Sequence, residues 1–217
     1  MLSHSYFAPI HGGLHKVQKR ISIAFGILSD WATFIGVVLI LGLGTSWYMI
    51  DFGSSLTTHQ QGPWVGWTSA GRVDADPYTR AHFARLGALQ LTTELIKTYV
   101  AQTDDDGSRL HSSCDYLVEG RGPGTVWWSL TVFDSRGELI ANSAQRHAFT
   151  SETIGTRPDG TFVVALARDA RPGNWLPTSG AGQLALVFTS LDPGTPLLAN
   201  PAGDQTSLPE IRRVQCR

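Results

Sequence analysis

The stretch from Trp31 to Ile50 constrains the fold of this chain most, because its 20 residues carry no charge. At 1.5 Å rise per residue, a helix of that length spans about 30 Å, the thickness of the hydrocarbon core of a bilayer. Trp31 at one end and Trp47 with Tyr48 at the other fit the aromatic residues that lie at membrane interfaces. The stretch therefore predicts a single N-terminal transmembrane helix over residues 31–50.

The basic residues around this stretch predict its orientation. Lys16, Lys19 and Arg20 precede it, whereas the first basic residue after it is Arg72. Because cytoplasmic flanks carry the excess of Lys and Arg, residues 1–30 are predicted to be cytoplasmic and the rest of the chain to lie outside. In a Gram-negative host, this places the anchor in the inner membrane and the following domain in the periplasm, with the bilayer as a partner.

Alternatives to this anchor remain open. A cleaved signal peptide has a shorter apolar core, of about 7 to 15 residues, but Gly44, Thr45 and Ser46 give a small-x-small match to a cleavage site. A buried core helix is a second alternative, although 20 uncharged residues are long for one. Residues 19–30 either lie along the inner membrane surface or extend the anchor at its cytoplasmic end.

The charge of the chain argues against one class of partner, and its two cysteines raise the question of a disulfide. The formal net charge is -1 and no block of Lys or Arg occurs, so nucleic acid is not predicted as a partner. Cys114 and Cys216 both fall on the predicted exported side, where disulfides persist. A disulfide between them and two free thiols are both open at this stage.

A short helix is predicted at the start of the exported domain, after a linker over residues 51–73. Asp76 suits the N-cap, Pro77 the first helical position and Gly87 the left-handed C-terminal cap. Small or aromatic residues recur at three- and four-residue spacing, which predicts a stripe packed against a sheet: Tyr78, Ala81, Ala84 and Ala88.

The pattern then changes to short runs rich in β-branched and aromatic residues, separated by turn clusters. Six strands are predicted, over residues 94–103, 114–120, 125–134, 137–143, 160–169 and 182–191. The run at 125–134 carries bulky side chains on both faces, which predicts a central strand. The fold class is mainly β: a jelly-roll-like β-sandwich over residues 74–192 with one or two short helices, followed by a C-terminal tail over residues 193–217.

The order of several motifs resembles that of a known family. The motifs are GPW at 62–64, DADPYTRAHFAR at 74–85, DDDG at 104–107, CDYLVEG at 114–120, WWSLTVFD at 127–134, GELIANSAQRHAFTS at 137–151 and PGNWLPT at 172–178. Over roughly residues 60–192 the chain resembles the domain of unknown function 1214 family, in a short membrane-anchored form. The resemblance implies a jelly-roll β-sandwich, an inner-membrane location and a companion envelope protein of the domain of unknown function 1254 type. It implies no settled activity.

The sequence contains few motifs that indicate catalysis or metal binding. No G-x-S-x-G elbow and no H-E-x-x-H or H-x-H pattern occurs, so neither a catalytic nucleophile nor a metal or other cofactor is predicted. The DDDG segment is predicted to be a tight turn rather than a calcium loop. Strand-borne carboxylates for glycoside cleavage stay an alternative. They are Asp115, Glu119, Asp134 and Glu138.

The remaining signal is a set of aromatic, Arg, Asn and Asp residues that differ from ordinary core residues. Such residues stack on and hydrogen-bond to sugars and other ring-bearing ligands. The ligand-binding candidates are Tyr78, Arg80, Arg85, Asp115, Tyr116, Trp127, Asn142, Arg146, Asn174 and Trp175, with Trp64 and Trp67 in the same class. The alternative is structural: buried Trp side chains fill the ends of the sandwich and Arg pairs with Asp.

One loop decides between these two interpretations. Trp175 lies between Pro172 and Pro177, which stiffen the segment, so we expect Trp175 to be mostly buried with a hydrogen-bonded indole N–H. Asn174 is predicted to fix the loop. The predicted function is a membrane-anchored periplasmic module that docks a companion envelope protein and takes a saccharide or lipid headgroup as a further ligand. The alternative is an enzyme acting on envelope glycans or small metabolites through strand-borne carboxylates, with Arg146 holding an anion.

Overall fold

The computed structural model describes residues 11–52, 56–87, 89, 91–178, 180–191 and 208–217. The chain divides into two compact units, Met1–Asp51 and Phe52–Arg217. Helix α1 runs over His11–Phe52. Within it, Phe25–Ile50 has a mean hydropathy of 1.9 over 26 residues and is long and apolar enough to cross a membrane, a test that a signal sequence also passes. Residues 19–30 belong to the same continuous helix.

The second unit contains two β-sheets and helix α2. The elements are β1 (Thr58–Gln61), β2 (Trp64–Trp67), α2 (Pro77–Leu86), β3 (Ile96–Ala101), β4 (Cys114–Arg121), β5 (Trp127–Asp134), β6 (Ala148–Thr150), β7 (Thr161–Ala167), β8 (Asn174–Pro177), β9 (Leu184–Leu191) and β10 (Glu210–Cys216). One sheet has the strand order β1-β2-β3-β9-β5-β6 and the other β10-β4-β7-β8. All neighbouring strands are antiparallel except β7 and β8. The predicted mainly β, jelly-roll-like sandwich is confirmed.

The core lies between the inner faces of the two sheets. Alternate residues of β9 are buried, as expected for a strand with one face on the core. Trp128 of β5 stacks on Phe162 of β7 with ring centroids 4.9 Å apart, and on Phe188 of β9 at 5.6 Å. These three rings join the two sheets, and β5 lies inside its sheet as predicted.

Helix α2 begins and ends where the sequence predicts. Oδ1 of Asp76 accepts hydrogen bonds of 2.9 Å from the backbone N–H groups of Tyr78 and Thr79. Gly87 has a φ of 63°, and its N–H donates to the carbonyl of Ala84. Both caps satisfy backbone groups that a helix end would otherwise leave without partners.

The buried face of α2 differs from the predicted one. Ala84 and Tyr78 are exposed, and Thr79 is the buried residue of the helix. The rings of His82 and Phe83 pack on Trp67, with centroid distances of 4.7 and 4.9 Å. The prediction of a small-residue stripe against a sheet is therefore wrong, because aromatic side chains supply more contact area than Ala. Ala88 lies outside the described residues.

Two short strands and a terminal strand occupy segments that the sequence assigns to a linker and a tail. Strands β1 and β2 lie within residues 51–73, and β2 pairs with β3. Strand β10 lies within residues 193–217 and pairs with β4, and its Ile211 is fully buried. The described parts of both segments thus belong to the sandwich, since the pairing that orders them comes from strands far away in the chain.

The predicted strand at residues 137–143 is wrong. There the chain makes a turn after β5, with one isolated bridge between Phe133 and Leu139, and β6 lies further on. The side chain of Asn142 donates to the carbonyl groups of Ile140 and Arg146 and accepts from the N–H of Arg146. An Asn that bonds nearby backbone in this way competes with strand pairing.

The predicted turn at DDDG is observed. Gly107 has a φ of 79°, and its N–H donates to the carbonyl of Asp104. The N–H of Asp105 donates to the carbonyl of Ile211, and Oδ2 of Asp105 accepts from the N–H of the same residue at 2.6 Å. The turn therefore also holds strand β10 in place.

Candidate functional site

The ten ligand-binding candidates do not form one site. Three lie on α2, two on β4, one on β5, and four near the junction of the β5–β6 loop with β8.

The candidates on α2 lie on the exposed side of the helix. Arg80 donates from Nη2 to the carbonyl of Val73, which fastens the segment before the helix. Arg85 lies in the last turn, where its charge favours the helix dipole. Tyr78 is 39% exposed. Arg80 and Arg85 thus each have a structural role without a ligand.

Two side chains donate hydrogen bonds to Asp115 of β4, close to the last residues of β10. Its Oδ2 accepts hydrogen bonds from Nη2 of Arg171 at 2.5 Å and from Nε2 of Gln215 at 3.1 Å. Burial alone would raise the pKa of Asp115. The hydrogen bonds from Gln215 and Arg171 and the charges of Arg171 and Arg217 outweigh burial and hold its pKa below the usual value. Asp115 is therefore an ionised partner of Arg171, unlike a general acid.

Tyr116 is a core residue and not a surface contact for a ligand. It is 1% exposed, and its hydroxyl accepts a 3.0 Å hydrogen bond from the N–H of His111. Burial raises the pKa of this hydroxyl. Trp127 lies on the other sheet, half-buried, opposite Leu191 of β9.

Arg146 and Asn142 meet the strand that carries Trp175. Nη1 of Arg146 lies 3.4 Å from the carbonyl oxygen of Trp175, to which it donates, and its guanidinium lies 5.7 Å from the ring centroid of Phe149. Asn142 organises the loop through backbone hydrogen bonds. These contacts join the β5–β6 loop to β8.

Asn174 and Trp175 are fixed by the protein itself. Asn174 accepts from the N–H of Gly155 and donates to the carbonyl groups of Gly155 and Val163, at 2.8 to 3.0 Å. The indole N–H of Trp175 donates to the carbonyl of Ala167 at 3.0 Å, as expected. Trp175 is half-buried, less than the sequence predicts, because β8 is an edge strand.

Each of the four carboxylates considered for glycoside cleavage pairs with an arginine. The pairs are Asp115 with Arg171, Glu119 with Arg212, Asp134 with Arg136, and Glu138 with Arg136. Hydrogen bonds from the backbone N–H groups of Glu138 and Arg136 to Oδ1 of Asp134 also hold the pKa of Asp134 below its usual value. In the described part of the chain, no three His, Cys, Asp or Glu side chains are arranged to hold a metal.

Cys114 and Cys216 are joined by a disulfide. The two residues are direct partners in the register of β4 and β10. The bridge therefore fastens the last strand to the sheet at the end where Asp115 and Gln215 also meet.

Two concave surfaces are lined mainly by residues other than the predicted site residues. The first, which we name the α2 groove, has a volume of 370 Å³ and separates α2 and the following segment from the six-stranded sheet. It is lined by Trp67, Ala70, Phe83, Leu89, Leu91, Thr93, Ile96, Thr98, Val100 and Thr189. Leu89 is 94% exposed, Leu86 64% and Leu91 59%. The run of leucines at 86, 89 and 91 is the sequence signal that would have indicated this surface.

The second surface, which we name the outer cleft, has a volume of 480 Å³. It lies on the face of the six-stranded sheet that points away from the core. It is lined by Val100, Gln102, Arg109, Leu110, Phe133, Asp134, Ser135, Gly137, Gln183, Leu184, Ala185 and Val187. Of the residues considered from sequence, Asp134 alone is among them, because the lining comes from four separate segments.

Part of the sandwich matches a known family at the sequence level. Residues 97–195 match a family described as protein of unknown function, DUF1214. The match covers most of β3, all of β4 to β9 and every residue that lines the outer cleft, whereas β1, β2, α2 and β10 lie outside it. No curated protein matches the sequence.

One solved structure shares this fold at low sequence identity, and a second aligns more weakly. The VPA0106 protein from Vibrio parahaemolyticus aligns with 65% of this chain and 36% of its own, at 19% identity and a TM-score of 0.51. An uncharacterized protein from Burkholderia cenocepacia aligns with 79% of this chain and 40% of its own, at 15% identity and a TM-score of 0.41. This chain thus spans well under two thirds of the length of either protein.

Proposed function

We propose that this chain is a short, membrane-anchored member of the DUF1214 family whose exported β-sandwich docks a companion envelope protein through the α2 groove. The companion is of the domain of unknown function 1254 type, and the bilayer holds the chain through α1. The observation that carries this proposal is the exposure of Leu89 and Leu91, which line the α2 groove, together with that of Leu86 at the end of α2. Contiguous exposed apolar surface of this kind is typical of protein interfaces.

The length of a structural relative supports a protein as the occupant. In VPA0106 the shared fold is 36% of a longer chain, so that sandwich is covalently joined to further polypeptide. We propose that the sandwich of this chain, carried on its own anchor, binds such polypeptide as a separate protein. A partner with an apolar ridge would remove the leucine side chains from water at about 25 cal/mol per Å².

The carboxylates favour docking over the enzyme alternative. Glycoside cleavage needs two carboxyl groups on either side of the bond, one of them with a raised pKa. Here Asp115 and Asp134 have lowered pKa values, and each is paired with an arginine. These two carboxylates therefore have the properties of structural ion pairs and not of a general acid.

The proposed topology places the N-terminus in the cytoplasm and the sandwich in the periplasm. Lys16, Lys19 and Arg20 supply the basic flank that stays inside. A disulfide between Cys114 and Cys216 fits an oxidising compartment. A C-terminal alkaline phosphatase fusion should be active and remain in the membrane fraction. An inactive fusion would contradict the orientation, and an active soluble one would indicate cleavage near Ser46.

Docking is tested by co-expressing the full chain with a 1254-type protein from the same genome and measuring the complex by size-exclusion chromatography in detergent. We expect a stable one-to-one complex, and at least a tenfold loss of affinity for Leu89→Asp. Leu139→Asp is the matched control, because Leu139 is an exposed leucine outside the α2 groove. No complex with the wild-type chain, or equal loss with both variants, would contradict docking at this surface.

A further inference from the structure

We propose that the outer cleft is a binding site for an acidic saccharide, in which Arg109 pairs with the carboxylate of a uronic acid ring. The cleft shares Val100 with the α2 groove and otherwise has its own lining. The inference goes beyond the docking proposal and does not depend on it.

The floor of the cleft is a small apolar platform. It consists of Val100 of β3, Val187 and Ala185 of β9, and Phe133 of β5. These residues are neighbours by strand register, since Val100 pairs with Val187 and Phe133 with Ala185. Three hydrogen-bonded strands therefore hold the floor rigid. One face of a sugar ring carries mainly C–H groups, and an apolar or aromatic surface is what such a face packs on.

The polar rim is held by the backbone beside this floor. The N–H of Leu110 donates to the carbonyl of Gln102 at 2.9 Å, and the N–H of Leu184 donates to the carbonyl of Leu110 at 3.0 Å. A bridge between His111 and Gln183 extends the same pairing. The backbone at Gln102, Arg109 and Gln183 is thus preorganised, which lowers the entropy cost of binding.

Arg109 supplies an available positive charge. Within the described part of the chain, its guanidinium has neither an ion-pair partner nor a side-chain hydrogen bond. The acid of the cleft, Asp134, is already engaged: Oδ1 accepts from two backbone N–H groups and Oδ2 pairs with Arg136. Arg109 therefore presents its planar donor set to a ligand, and a carboxylate is the group that matches this set in a bidentate manner.

The remaining rim groups favour a polyhydroxylated ligand. Gln102 and Gln183 each offer an amide with two N–H donors and one carbonyl acceptor, and Ser135 adds a hydroxyl. Adjacent hydroxyl groups of a sugar need donors and acceptors together. The volume of 480 Å³ lies within the range of sites for small ligands. An acidic saccharide matches all three features of the cleft: its C–H face packs on the apolar floor, its hydroxyl groups bond to the amides, and its carboxylate pairs with the guanidinium of Arg109.

The test uses the full chain in detergent and isothermal titration calorimetry with four probes: galacturonate, trigalacturonate, galactose and galactotriose. We expect the acidic probes to bind at least tenfold more tightly than their neutral counterparts. Tighter binding of trigalacturonate than of galacturonate would identify a glycan chain as the ligand, and equal binding would identify a single ring. Either result supports the proposal.

Variants of the chain test whether the saccharide binds in the outer cleft. Arg109→Gln should weaken trigalacturonate binding at least tenfold, whereas Arg121→Gln, at an exposed arginine on the other sheet, should not. Ala185→Phe should block the cleft and abolish binding while Arg109 is kept. The proposal is overturned if no acidic probe binds at millimolar concentration, if the neutral probes bind equally well, or if both arginine variants bind like the wild type. Thermal melts of each variant check that it is folded.

Discussion

The indole Nε1 of Trp64 donates a 2.7 Å hydrogen bond to the carbonyl of Pro209, although 145 residues separate them in the chain. Trp64 begins β2, and Pro209 immediately precedes β10. Both are buried, and the ring of Trp64 also contacts Phe188 in the core. The side chain of Trp64 therefore joins β2 of the six-stranded sheet to the residue that precedes β10 of the four-stranded sheet.

Trp64→Phe should destabilise the sandwich by about 2 to 4 kcal/mol. It leaves the buried carbonyl of Pro209 without its donor, which costs about 1 to 3 kcal/mol, and the smaller ring leaves a cavity. Thermal unfolding of the full chain in detergent measures the change. Trp127→Phe is the control, because Trp127 is half-buried on the outer face. Equal melting temperatures for the two variants would contradict this role of Trp64.

Reduction of the disulfide should lower stability by about 2 to 5 kcal/mol. The bridge between Cys114 and Cys216 joins residues 102 apart in sequence and holds β10 against β4. The melting temperature with and without dithiothreitol measures the effect. A double variant, Cys114→Ser with Cys216→Ser, should melt at the reduced temperature and not respond to the reductant. An unchanged melting temperature after complete reduction would contradict the prediction.

Asp115 should make stability depend on pH in the acid range. Because its pKa in the folded state is below the value of about 3.9 for an unfolded chain, its contribution is fully present above that value. The contribution is lost as the pH falls through the lower folded-state pKa. Asp115→Asn should therefore be less stable than the wild type at about pH 6, with a gap that narrows towards about pH 3. Denaturant titrations at several pH values measure this gap, and one that widens on acidification would contradict the assignment.

Trp175→Ala should cost about 2 kcal/mol, less than the 3 to 5 kcal/mol of a fully buried Trp, since the ring is half-buried. Trp175→Phe keeps most of the contact but removes the hydrogen bond to Ala167, for about 1 kcal/mol. Thermal melts of the two variants measure both losses. Unchanged stability in both would indicate that the ring is free to contact a ligand.

The sequence predicts those elements whose pattern is local. Strands β3, β4, β5, β7 and β9 are runs of alternating or continuous apolar residues, and the caps of α2 depend on Asp76 and Gly87 alone. Strand β10 was not predicted, because Ile211 is its one buried residue and its order comes from pairing with β4. Strand β8 is short, parallel to β7 and ends at Pro177, so its residues resemble a loop.

The concave surfaces could not be predicted from any single segment. The outer cleft takes Val100, Phe133 and Gln183 from three parts of the chain, and their meeting depends on strand order. Chemical type alone predicts the site residues, and types such as Arg and Asn also form structural ion pairs and loop hydrogen bonds. Arg146 and Asn174 make such contacts here.

Site-specific photo-crosslinking in cells tests docking through the α2 groove most directly. A photoreactive amino acid is placed at Leu89 of the full-length chain, and at Leu139 as the matched exposed position. We expect crosslinks from position 89 to the 1254-type companion, and none to it from position 139. Crosslinks from position 89 to lipid or to a second copy of this chain alone, or equal crosslinks to the companion from both positions, would contradict docking at this surface.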